Sequence, residues 1–146
     1  MTSPDPYDLH RFVEIQEREY PRALLELTRG RKTSHWIWFI FPQIAGLGRS
    51  SLSQRFAISS RAEARAYQAH PVLGPRLRDC CQALLAHRDR RIDQILDAPD
   101  DLKVRSSMTL FAEIDTHEIV FQEVIDAFFE GKRDRLTQEI LEEESR

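Results

Sequence analysis

The chain has 146 residues and 17.1 kDa, 41% apolar and 31% charged; this is one domain's worth of sequence with enough apolar content for a core, which excludes a multi-domain assembly and wholesale disorder. No run approaches the roughly 18 apolar residues of a membrane span, and the start MTSPDPYDLHRF lacks the charged-then-apolar pattern of a secretory leader, so a cytoplasmic protein with no membrane partner is expected. Charge is segregated, with residues 1–28, 29–91 and 92–146 carrying −3, +9 and −9, while a pI near 6.0 argues against general nucleic-acid binding.

In chain order the pattern is helical almost throughout. Asp5 and Asp8 are candidate caps for a first helix carrying Leu9, Phe12, Val13, Gln16 and Tyr20; Pro21 should bend or restart it, and Gly30 should stop it. Ser60-Arg61-Ala62-Glu63 is a capping box for a helix to about His70. Pro71 opens the next, with Val72, Leu73, Leu77, Cys80, Cys81, Leu84 and Leu85 as its stripe, and the two cysteines read as buried thiols. Arg91–Leu96 forms a short helical step, and Pro99-Asp100-Asp101 gives the acidic first turn of a helix to about Glu113. Asp115 with Glu118 starts another that ends at Gly131, and Asp134 caps the last, with Leu136, Ile140 and Leu141 inward and an acidic tail over 142–146. The expected fold is therefore all-α, an irregular array of about six helices in a single domain over 1–146.

The exception lies between Gly30 and Ser60. Trp36-Ile37-Trp38-Phe39-Ile40-Phe41 leaves no wet face, so it is a core element that periodicity cannot assign to helix or strand; a short strand pair within 36–58 is one form it could take. Gln43 to Ser51 follows as a loop in which Gly46 and Gly48 permit positive φ, and Ser50 or Ser51 can cap a short helix through Phe56. Such a loop either cradles a phosphate on convergent N–H groups or turns tightly over the core.

Gly30-Arg31-Lys32, Ser34-His35-Trp36, Phe41-Pro42-Gln43, Gly46-Leu47-Gly48, His70-Pro71-Val72-Leu73-Gly74-Pro75-Arg76-Leu77 and Asp100-Asp101-Leu102-Lys103 leading into Ser106-Ser107-Met108-Thr109-Leu110-Phe111 resemble a bacterial family of small proteins known as domain of unknown function 1810, from about Asp8 to Leu141. The resemblance implies a mostly α-helical single domain with little or no sheet, and it implies no activity.

The five histidines have no partners at metal-ligand spacing, so neither a metal nor any other cofactor is expected. Arg31, Lys32 and Arg49 bracket the aromatic run, and Lys103 and Arg105 lie on polar stripes with Ser107 and Thr109. The five cations either converge as an anion clamp or are neutralised, the latter through packing of the acidic C-terminal helices on the basic middle and internal capping of a neighbouring helix. The binding reading takes a small phosphate-bearing ligand, nucleotide or ADP-ribose-like, on a surface formed by Arg31, Lys32, Ser34, His35, Trp36, Gln43, Gly46, Gly48, Arg49, Lys103 and Arg105. In it the tryptophans stack a base; in a hydrolytic version His35 or Asp101 moves the proton. Against it stand buried core tryptophans and a structural histidine. An adaptor for an acidic protein partner, itself unspecified, and a nucleic-acid accessory role are the readings from other classes.

Overall fold

The computed structural model describes residues 4–145. In order it contains α1 (His10–Arg29), α2 (Ile37–Ile40), α3 (Ser51–Arg55), α4 (Arg61–Ala69), α5 (Leu73–Leu85), a 3₁₀ turn (Ile92–Gln94), α6 (Asp100–Ile114), α7 (Val120–Phe129) and α8 (Arg135–Glu144). Six of these are the expected longer helices, and α2 and α3 add single turns. Trp36–Phe41 resolves into the short helix α2, and the strand-like geometry nearby is one isolated parallel bridge, Ile44 with Ile58. It is closed by Ile58 N–H to the Gln43 carbonyl and Ala45 N–H to the Ile58 carbonyl, both 2.8 Å.

Helix α6 is central and packs against α4, α7 and α8, while α5 packs against α1, α4 and α7. A file of rings joins the elements: Phe39 meets Phe56, Phe56 meets Phe12 of α1, Phe12 meets Tyr67 of α4, Tyr67 meets Phe111 of α6, and Phe111 meets Phe121 of α7, at centroid separations of 5.0–5.6 Å. These are spacings at which tilted and edge-on aromatic pairs attract. Cys80 and Cys81 are buried free thiols, and burial pushes both well above the ordinary thiol range.

Local chemistry accounts for most boundaries. Gly30 takes the left-handed conformation (φ 81°) and donates to the Leu27 carbonyl, while the Arg31 N–H reaches Glu26, closing α1. The Asp5 carboxylate accepts from Leu9 N and His10 N; Asp8, the alternative cap, instead sits at φ 51°. Pro21 does not break α1, because Pro21 and Glu17, whose carbonyl loses its partner, lie on the exposed side where water can satisfy it. Ser60 caps α4 by accepting from Glu63 N, but the Glu63 carboxylate returns to Ser59 N and Oγ, so the box is offset by one residue. Glu130 (φ 56°), one residue before the expected Gly131, ends α7. Leu136 faces solvent at 52% exposure, because the Asp134 cap holds Thr137 inward and rotates α8 accordingly.

Candidate functional site

The segment from Arg31 to Trp36 joins α1 to α2 and is shaped from beneath by one carboxylate. Glu26, on the buried face of α1, accepts from Thr33 N (2.8 Å), Ser34 N (3.0 Å), Ser34 Oγ (2.6 Å) and the Trp36 indole N–H (2.9 Å). Burial alone would raise the Glu26 carboxyl, yet the bonds from the Ser34 hydroxyl, Thr33 N–H, Trp36 indole and Ser34 N–H outweigh it and hold it at about 2. Sequence reasoning missed this residue, although its spacing from Ala23 and Leu27 puts an acid on the buried face of a helix, which is a readable signal.

A second carboxylate organises the cations. Asp100, in the first turn of α6, pairs with Lys32 through Oδ2 (2.8 Å) and with Lys103 through Oδ1 (3.4 Å). Lys32 is only 8% exposed in its side chain. Its ammonium lies 5.0 Å from the Trp36 ring centroid, and that of Lys103 lies 5.3 Å from the Trp38 ring. Arg31 pairs with Asp97 (2.8 Å) and donates to the Gln94 carbonyl, and Lys32 N–H donates to the Ile95 carbonyl.

This arrangement leaves two concavities on either side of the Thr33-Ser34-His35 ridge. One, of about 410 Å³, is bounded by Arg31, Lys32, Asp97 and Asp100; the other, of about 670 Å³, by Ile15, Arg22, Trp38, Phe39 and Leu52. His35 is exposed and borders both.

The expected single concavity of five cations does not form. Arg31, Lys32, Ser34 and His35 come together, and Lys103 joins them through Asp100. Arg105 instead faces Asp134 (3.8 Å) at the start of α8, where the Asp134 carboxylate also accepts from Ser106 Oγ and the Thr109 hydroxyl accepts from Asp134 N–H. The polar stripe of α6 thus caps a neighbouring helix. Arg49 is exposed, and its side chain has no partner among the described residues. Gln43, Gly46 and Gly48 line a separate cavity of about 160 Å³ with Ser53 and Gln54. Trp36 is 0% exposed and spends its N–H on Glu26, so it cannot stack on a ligand, whereas half-buried Trp38 borders the larger groove. Asp101 accepts from the adjacent Leu102 N–H and lines neither concavity.

Among the described residues no three His, Cys, Asp or Glu side chains form a group able to hold a metal ion, and no helix is long and apolar enough to cross a membrane.

Together these features define an all-α protein with a polar cleft where the α1–α2 loop meets the start of α6. The chain belongs to the family described as protein of unknown function (DUF1810), which matches residues 6–141. It is similar to the conserved hypothetical protein Rv1873 from Mycobacterium tuberculosis, solved by crystallography, with 45% identity and a TM-score of 0.93 over 94% of this chain and 99% of that one. No curated protein matches the chain.

Proposed function

We propose that the chain binds a small anionic ligand, phosphate-bearing and of nucleotide or ADP-ribose type, in the cleft between Arg31–His35 and the start of α6. The observation that carries this reading is that Lys32 and Lys103 share the single carboxylate of Asp100. Two ammonium groups on one carboxylate leave one positive charge uncompensated, and the low exposure of Lys32 reduces its screening by solvent. The Ser34 N–H and hydroxyl are already committed to Glu26, so recognition falls to the cations and to exposed His35. A flat or sugar portion would extend past the ridge along Trp38, Phe39 and Leu52. This is a smaller site than the eleven residues expected from the sequence: Trp36, Gln43, Arg105 and the Gly46–Arg49 loop take no part.

The test is thermal unfolding with inorganic phosphate, AMP and ADP-ribose. A ligand present at 100 times its Kd should add about 2.7 kcal/mol. Lys103→Gln should weaken that binding about tenfold, and Asp100→Asn, which removes the shared counter-charge, should tighten it. No stabilisation by any of the three would overturn the proposal. Because His35 borders both concavities, a hydrolytic version is tested in the same samples: a product formed by the wild type and absent with His35→Gln would make the binder an enzyme.

A further inference from the structure

A different pocket, of about 400 Å³, is walled by α4, α5 and the α6–α7 connection, with Arg65, Gln68, Arg78, Asp115, His117 and Glu118 on its surface. Arg65 and Arg78 have no salt-bridge or hydrogen-bond partner among the described residues, although two carboxylates line the same pocket. Those carboxylates are occupied by backbone. Asp115 Oδ1 accepts from His117 N (3.0 Å) and Glu118 N (3.2 Å), and Glu118 Oε1 accepts from Val120 N (3.2 Å), together capping the entry to α7. Burial would raise the Asp115 carboxyl, but the Glu118 and His117 N–H groups and the Gln68 amide overcome it and lower it, so it stays ionised. Gln68 Nε2 donates to Asp115 Oδ2 (3.4 Å), which fixes the amide so that its Oε1 is buried with no donor.

The pocket therefore carries two free guanidinium groups and two fixed carboxylates. A simple anion gains from the first and is repelled by the second; a simple amine has the reverse problem. We infer that this pocket binds a free α-amino acid, its carboxylate between Arg65 and Arg78 and its ammonium toward the Asp115 and Glu118 carboxylates. Guanidinium forks suit a carboxylate in two-point contact, and the volume suits a molecule of amino-acid size with its side chain toward the opening.

Isothermal titration of the intact protein with each of the twenty amino acids, and with acetate, inorganic phosphate and methylamine as one-charge probes, tests the inference. At least one amino acid should bind with a Kd below about 1 mM, with the one-charge probes weaker by about tenfold or more. Arg78→Met and Arg65→Met should each weaken the best amino acid about tenfold, while Lys32→Gln, in the other cleft, should leave it unchanged. Arg65 is exposed on α4, so its variant keeps the test valid even where the Arg78 variant fails to fold. The inference is overturned by no amino acid binding with a Kd below about 1 mM, by acetate or phosphate binding as tightly as the best amino acid, or by an Arg65 variant that binds like the wild type.

Discussion

A carboxylate among apolar neighbours is stable only when its lone pairs meet donors, and Glu26 meets four. Glu26→Gln keeps an oxygen for the three donors on Oε1 and lets the Ser34 hydroxyl turn to accept from its NH₂, but it removes the charge that strengthens all four bonds, so it should destabilise the fold by about 1–2 kcal/mol at pH 7, read from urea midpoints. The pH dependence follows from the same bonds. The Glu26 carboxyl is held at about 2, below its unfolded value of 4.5. Its contribution, of order 3 kcal/mol, is complete above about pH 4.5 and is lost as the pH falls toward 2. Wild-type stability should therefore drop between pH 5 and pH 3 by more than that of Glu26→Gln; parallel curves for the two proteins would refute the assignment. At this scale the basic and aromatic residues of the 31–38 segment were legible because they stand out in composition, and Glu26 was overlooked because an acid in a helix is ordinarily a solvated one. Trp36 and Trp38 were indistinguishable as letters; which one is fully enclosed depends on Glu26 and on residues far along the chain.

Among the helices, the contact between α4 and α5 rests on an absent side chain. A Cβ on Gly74 would fall well inside contact distance of the Gln68 carbonyl oxygen, which is backbone and cannot swing aside. Gly74→Ala should cost about 2 kcal/mol or more, measured by denaturant unfolding, because the two helices must separate to admit one methyl. Asp134 couples α6 to α8: its carboxylate accepts from Ser106 Oγ, Thr137 N and Thr137 Oγ1. Asp134→Ala should cost about 2–3 kcal/mol, more than an isolated cap, since it also leaves the buried Thr137 hydroxyl without its acceptor and Arg105 without its counter-charge; a loss under about 0.5 kcal/mol would show the network to be dispensable. Caps at Ser50, Ser60 and Asp134 and the stop at Gly30 could be read directly because each involves neighbours in sequence. The type of the Trp36–Phe41 element could not, because a segment buried on nearly every side loses the periodicity that separates helix from strand. The facing of α8 was misjudged at Leu136 for a related reason: a hydrogen-bonded Thr137 took the inward position that apolarity alone assigns to leucine.

At the scale of the whole molecule, the opposed +9 and −9 segments meet: Arg31 with Asp97, Lys32 with Asp100, and the Arg61 N–H with the Glu144 carboxylate. Composition could say that the two segments attract, but not which pairs form, since each partner lies dozens of residues from the other. Ending the chain after Arg133 should abolish cooperative thermal unfolding followed by circular dichroism, because the loss of α8 strips the cover from Ser106 and Thr109 and removes buried Thr137 and Leu141. A sharp transition retained at the wild-type temperature would contradict that. The ridge beside the Lys32–Asp100 cleft has a history as well as a shape. The segment leading into it is held by Lys32 N–H to the Ile95 carbonyl, Arg90 to the Gly30 carbonyl and the Arg31 side chain to Asp97, partners separated by 60 to 66 residues along the chain. At a synthesis rate of about 5–20 residues per second, the first wall leaves the ribosome roughly 3–12 s before the second. A nascent chain that has already formed α1 therefore carries Lys32 unpaired in solvent, and the cleft comes into being only when the last third of the protein arrives to close it.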